Sequence, residues 1–221
     1  MKPINNTFSL GSLVALLSMV CIFTSFSCLA PAFSELQSAR LAGPGHVEVT
    51  PSYSRVSGQS GHTQDHYGIQ AGVGILKRLD LRIRYEHASV YPGEAESFGV
   101  NMLGFGPKVA LIPNWLTVYV PVGFAFGEEI EASETWQVHP TLLATLPLNT
   151  HFEINTSAKA LIPLQDESDP MYAVNFGVAV SSDVRRWAVR PEIGFLFNSP
   201  VGSCLQMSIG LSLSTDRSKR R

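Results

Sequence analysis

The stretch Gly61-His62-Thr63-Gln64-Asp65-His66 sets two imidazoles and a carboxylate within five residues. Imidazole nitrogens and carboxylate oxygens bind divalent metals, and histidine changes charge near neutral pH. His62, Asp65 and His66 are therefore candidate metal-binding or pH-sensing residues. The plainer reading is a solvated loop in which polar side chains gather, with no metal or other cofactor. A second set is larger. Five acids (Glu48, Asp80, Glu86, Glu153 and Glu192) and five bases (Arg82, Arg84, Lys108, Lys159 and Arg190) recur among apolar residues. Opposed in one enclosed space they would neutralise one another; arranged in rings they would select ions. A third set is acidic only: Glu94 and Glu96, then Glu128, Glu129, Glu131 and Glu134, then Asp166, Glu167 and Asp169. These read as exposed, solubilising loops, or as sites that bridge divalent cations or attract cationic solutes.

The elements that carry the second set are strands. Leu79-Asp80-Leu81-Arg82-Ile83-Arg84-Tyr85-Glu86 alternates apolar and charged residues without exception. On a helix this order scatters charge all round, whereas on a strand it yields one oily and one ionic face. The same alternation recurs along the chain and defines ten segments. One breaks parity: Phe98, Val100 and Met102 are even, but Leu103, Phe105, Val109 and Leu111 are odd. A β-bulge beside Gly104 or Gly106 would restore the register. Prolines 51, 121, 140 and 191 fall inside segments and, lacking an N–H, mark bulges or strand ends.

Connections alternate too. Lys77-Arg78, Pro113-Asn114, Leu148-Asn149 and Arg185-Arg186 are tight turns. The intervening connections, 57–65, 88–96, 127–134 and 164–169, are longer, although the last, 199–202, is short. Segments of about ten to fourteen residues match the roughly nine to eleven that a tilted strand needs to cross a bilayer. Glycines 68, 72, 74, 123, 177 and 210 lie on the polar face, where a narrow lumen needs small side chains. Aromatic residues such as Trp115, Trp136, Trp187 and Tyr172 lie towards segment ends, as interfacial girdles do. Charged residues are only 15% of the 221, and the formal net charge of -2 argues against nucleic acid as a partner.

The first 33 residues stand apart. Lys2 precedes an apolar stretch from Leu10 to Leu29 broken by serines, then Ala30-Pro31-Ala32, and the whole reads as a secretory signal peptide. A lipoprotein signal ending before Cys28 is the alternative, with Cys28 as the lipidation site. The expected organisation is signal peptide 1–33, periplasmic segment 34–45, barrel 46–213 and basic tail 214–221, with both termini in the periplasm. Cys204 has no certain partner.

Signal segment, alternating segments and alternating connections together resemble the small bacterial outer-membrane β-barrel proteins, porin-like in pattern, over Pro44 to Leu213. The resemblance implies an all-β, antiparallel up-and-down transmembrane β-barrel of about ten strands in the outer membrane of a Gram-negative-type bacterium. It also implies outer-membrane lipid, lipopolysaccharide and the barrel-assembly machinery as partners, with a small solute as a further candidate. The chain departs from the family in ending Leu213-Ser214-Thr215-Asp216 and a basic tail, not on an aromatic residue. The interior charges are expected to form a salt-bridged plug, since so small a barrel encloses little more than its own side chains. Three alternatives carry other functions: an adhesin using the acidic loops, a soluble periplasmic ligand carrier, and a barrel enzyme. No catalytic set is legible for the last.

Overall fold

The computed structural model describes residues 33–58, 61–91, 96–128, 130–165, 169–199 and 202–215. Of the expected signal peptide 1–33, residues 1–32, Cys28 among them, lie outside the described residues, as do loop acids Glu94, Glu129, Asp166 and Glu167 and the tail from Asp216. Its last residue, Phe33, is described and is buried with the barrel wall, so it belongs to the barrel and not to the signal segment.

Alternating residues build twelve strand segments. These are β1 (Val47–Gly58), β2 (Thr63–Leu76), β3 (Leu79–Tyr91), β4 (Phe98–Ile112), β5 (Leu116–Tyr119), β6 (Val122–Phe126), β7 (Gln137–Val138), β8 (Thr141–Pro147), β9 (Phe152–Pro163), β10 (Met171–Val180), β11 (Trp187–Phe197) and β12 (Cys204–Ser214). They make ten staves. β5 and β6 both pair with β4 and form one stave, interrupted at Val120-Pro121. β7 and β8 both pair with β9 and form another, interrupted at His139-Pro140. Two of the four prolines thus break strands, as a residue without an N–H does in a ladder. Pro51 and Pro191 instead sit within β1 and β11, opposite Ile69 and Ile209.

All pairings between these strands are antiparallel, and β12 returns to β1 from Glu48↔Ser214 to Gly58↔Cys204, so the sheet closes. Turns of two to four residues at 77–78, 113–115 and 148–151 join staves at one end, together with a six-residue connection at 181–186 where the sequence suggested a tight turn at Arg185-Arg186. The long-connection end carries 59–62, 92–97, 127–136, 164–170 and 198–203. The first of these is shorter than the sequence suggested, because β1 and β2 extend to Gly58 and Thr63 and take up most of the expected loop.

Parity sets the faces. Leu81, Ile83, Phe105, Phe176, Ile209 and Met207 point outward with 49–64% of their surface bare. Thr50, Asp80, Arg82, Lys108, Glu153, Asn175 and Gln206 point inward and are buried. An apolar outer belt around a polar core is the reverse of a soluble barrel, and only a bilayer satisfies it. The bulge expected beside Gly104 or Gly106 is absent. Pairing of β3 with β4 runs unshifted from Leu79↔Val109 to Val90↔Phe98. The even apolar residues are explained by depth. Val100 faces inward near the long-connection end, level with inward-facing Ala88 and Val90, where the interior itself turns apolar. The shift in β4 comes instead at Ala110/Ile112, against β5.

Gly106 lets the broken stave approach. A Cβ there would lie 2.3 Å from the Val120 carbonyl oxygen and 2.5 Å from Pro121 Cα, whereas at Gly104 its nearest neighbour would be 3.8 Å away. Gly106→Val should therefore destabilise the barrel by about 1–3 kcal/mol, and Gly104→Ala should be nearly neutral. The check is the temperature at which heat-modifiable gel mobility is lost: it should fall for the first variant and hold for the second.

Candidate functional site

The lumen is occupied by the chain itself. Residues 33–42 run inside the barrel, with Phe33, Ser34, Glu35, Leu36, Gln37, Ser38 and Ala39 each at most 3% exposed. The segment read from sequence as a periplasmic lead-in over 34–45 is thus placed within the lumen as far as Ala42. It has no strand partner, so its main-chain groups need side chains to pair with them.

Eight wall side chains supply them. Asn175 Nδ2 donates to the Phe33 carbonyl (2.8 Å), Arg84 to that of Ser34, and Gln70 Nε2 to that of Glu35 (2.8 Å). Lys108 Nζ donates to the carbonyls of Ser38 (2.6 Å) and Arg40 (3.0 Å), and the Thr117 hydroxyl to that of Ala39. In the other direction the Glu35 and Leu36 amides donate to the two oxygens of Glu192, at 2.7 and 2.9 Å. The Ala39 amide donates to Thr145 Oγ1 (2.7 Å) and the Ala42 amide to Asp80 Oδ2 (2.8 Å). Leu36 has φ 52°, a left-handed conformation unusual for a branched side chain. The two-oxygen grip of Glu192 on consecutive amides holds it there.

Side chains of the segment complete the network. Glu35 pairs with Lys159 at 2.5 Å, and Arg40 pairs with Glu153, which also takes Arg190 at 3.1 Å. The wall's own pairs are Arg82 with Glu48 (3.0 Å) and Asp80 (3.8 Å), and Glu86 with Arg84 and His66 (3.2 Å). All ten sequence-predicted charged residues, Glu48, Asp80, Arg82, Arg84, Glu86, Lys108, Glu153, Lys159, Arg190 and Glu192, therefore face the lumen. They are not a self-contained set: Lys108 and Glu192 hold the main chain of 33–42, and Lys159 and Glu153 hold its charges.

Space for the segment comes from missing side chains. A Cβ on Gly194 would lie 3.0 Å from the Phe33 ring and 2.1 Å from Asn175 Oδ1; one on Gly210 would lie 3.3 Å from Leu36 Cδ1. One on Gly74 would strike the Gly43 carbonyl at 1.8 Å. At the long-connection end Phe33 packs with Val56, Leu161, Met171, Ala173, Leu196 and Cys204 in an apolar collar. Halfway down, Ala39 packs with Tyr119 and Leu143. At the short-turn end Val184, from the turn after β10, packs with Ala179 and Ala188, and its carbonyl receives Arg40 at 3.5 Å.

Residues 33–42, with Gln70, Thr117, Thr145 and Asn175 on the wall, are the functional residues that sequence reading missed. The signal was there as a deficit. Lumen glycines leave volume that ten staves alone do not fill.

The histidine cluster is dispersed. Asp65 and His66 lie within β2, not in a loop, and adjacent strand residues face opposite ways. His66 is buried between Glu86 and Gln64, whereas Asp65 accepts the Tyr53 hydroxyl at 2.7 Å on the outer face. Among the described residues no group of three or more His, Cys, Asp or Glu side chains could hold a metal.

A closed sheet, an apolar belt and a polar lumen define a transmembrane β-barrel of the outer-membrane type. No protein-family model matches the chain, and neither does any curated protein. Solved structures similar to it include the N-terminal β-barrel domain of Pseudomonas aeruginosa OprF, at 11% identity and TM-score 0.35, covering 78% of this chain and 98% of that one. Neisserial surface protein A matches at 12% and 0.35, covering 76% and 95%. The transport unit of the autotransporter AIDA-I from Escherichia coli matches at 10% and 0.44, covering 90% and 97%. At these scores the likeness transfers no role.

Glu192→Ala would leave two buried amides without an acceptor, a cost of about 1–3 kcal/mol each. Exchange of the Glu35 and Leu36 amides should speed up about tenfold or more, since roughly 1.4 kcal/mol is a factor of ten. Exchange along the β1–β12 seam should not change. Hydrogen exchange resolved by residue separates the two.

Proposed function

We propose that the protein is a narrow, porin-like or structural barrel of the bacterial outer membrane, closed to solutes in its resting form by its own residues 33–42. The observation that carries this reading is the burial of that segment along the lumen, from the collar around Phe33 to the contact of Arg40 with Val184. A continuous water path would have to displace ion pairs and main-chain hydrogen bonds together. The paired charges neutralise one another, so they present no net ring to draw one sign of ion through.

Orientation follows from the connections: the long-connection end faces the exterior and the short turns face the periplasm, the arrangement of outer-membrane barrels in general. Lipopolysaccharide then surrounds the outer rim, and insertion is the work of the barrel-assembly machinery. Exposed Glu128, Glu131 and Glu134 sit in the connection between β6 and β7 at that rim, where divalent cations would bridge them to lipid phosphates.

In planar bilayers the full-length protein should give small or no conductance. Deleting residues 33–42 should produce stepwise conductance at least tenfold larger, in a protein that keeps heat-modifiable mobility. Large steps from the intact protein would sink the closed-lumen reading. So would an unchanged trace from a folded deletion variant.

A further inference from the structure

Charge that balances over the whole lumen does not balance at its short-turn mouth. Residues 33–42 begin at the collar around Phe33 and reach this mouth at Arg40 and Ala42, the latter held by Asp80, second residue of β3. The ends of the described chain therefore lie at opposite mouths, since Ser214 pairs with Glu48 here, and not on one side as the sequence suggested. The lumen at this mouth carries Arg40, Arg82, Lys108 and Arg190, and the adjoining turns carry Lys77, Arg78, Arg185 and Arg186. Among the described residues four carboxylates oppose these eight cations: Glu48, Asp80, Glu153 and Asp183. Arg82 takes two of them, Glu48 at 3.0 Å and Asp80 at 3.8 Å. Glu153 is left for both Arg40 and Arg190, and Asp183 is turned to its own connection, where it accepts the Arg185 amide at 3.1 Å.

A small cavity opens among these groups. Ser38, Arg40, Glu48, Arg185, Arg190 and Ser214 line it, and its volume of about 10 Å³ admits roughly one particle the size of a water molecule. Arg190 is 3% exposed; its Nε donates to Ser212 Oγ at 2.9 Å, and its Nη2 lies 3.1 Å from Glu153. Its Nη1 has no hydrogen-bond acceptor among the described residues. A buried donor on a charged group is costly to leave without an acceptor. We propose that the short-turn mouth binds a small soluble oxyanion, one oxygen of which enters this cavity against Arg190 Nη1 while Arg185 holds the rest at the opening. A phosphate or carboxylate oxygen matches the cavity in size and takes charge-assisted hydrogen bonds from guanidinium groups. The surplus of cations disfavours a metal ion in the same place. The cavity faces the lumen and not the outer belt, so its ligand is a free anion and not a lipid headgroup. The site needs Ser38 and Arg40 inside the barrel, but it stands whether or not the lumen conducts.

Inorganic phosphate is the probe. Titrated at constant ionic strength into the full-length protein in a maltoside detergent, which carries no phosphate, it should bind saturably by calorimetry. It should also raise the temperature at which heat-modifiable mobility is lost. Arg185→Gln should weaken binding about tenfold, the loss of one charge-assisted contact, and Arg190→Gln should abolish it. No saturable binding by the unmodified protein overturns the proposal, as does unchanged binding by an Arg190→Gln protein that keeps heat-modifiable mobility. If Arg190→Gln does not fold, Ser214→Asp decides the matter. Its tethered carboxylate should occupy the site, so that phosphate no longer binds and no longer shifts the melting temperature; undiminished binding overturns the site. In nanodiscs containing phosphatidylglycerol the phosphate affinity should hold. Its loss there would make a headgroup the occupant and overturn the assignment to a soluble anion.

Discussion

Hydrocarbon offers no hydrogen bonds, so a sheet that crosses it must leave no edge. The ladder from Glu48↔Ser214 to Gly58↔Cys204 meets that demand by joining the first stave to the last. Closure fixes nearly everything else. It sends every second side chain into a space of set size, and that space must be packed, wet or filled by further chain. Ten staves enclose slightly more than an eight-stranded barrel, whose interior its own side chains just fill. Here the surplus is taken by residues 33–42, at positions where Gly194 and Gly210 withhold side chains of their own.

The interior must also settle its charge. Ionised groups taken from water cost several kcal/mol each unless paired and hydrogen-bonded. The wall carries five acids and five bases, and the segment adds one of each, Glu35 and Arg40, so balance is kept. The pairing, however, is mixed. Lys108 is fully buried and spends its donors on two carbonyls, and Glu192 spends both oxygens on two amides. With Arg84 and Asp80, which bond the Ser34 carbonyl and the Ala42 amide, these wall charges answer the segment's unpaired backbone. Filling the lumen and satisfying its charges are thus one event.

The wall was legible in the sequence because its physics is local. Period-two alternation in Leu79 to Glu86 names the faces without reference to any other strand, and Lys77-Arg78 names a turn by itself. The ten charged lumen residues followed from the same parity. The segment was not legible for the opposite reason. Phe33 to Ala42 has neither alternation nor helical spacing, and its conformation is set by partners 38 to 157 residues away, from Asp80 to Glu192. Asp65 and His66 failed differently. Read as a loop, they clustered, but β1 runs two residues further, to Gly58, and β2 starts three residues earlier, at Thr63, which sends them to opposite faces. The apparent parity break in β4 arose because the interior changes from charged to apolar with depth, so Val100 is an inward residue among apolar neighbours.

Placement of the segment constrains assembly. Its partners lie on β2, β3, β4, β5, β8, β9, β10 and β11, so no partly formed hairpin offers a complete site for it. The seam between β1 and β12 joins residues more than 140 positions apart and is the longest-range pairing in the sheet. Contacts of such separation carry the largest loop-closure entropy. Groups on either side of the seam hold the segment: Glu192 beside β12, and Gln70 beside β1. A segment already lying between them would draw the two edges together, and its ten paired main-chain groups would offset part of that entropy. A barrel that closed first would have to admit a chain carrying Glu35 and Arg40 through an apolar collar at one mouth or past Val184 at the other. Charge makes that path costly, so the wall is better understood as closing around the segment than as receiving it afterwards.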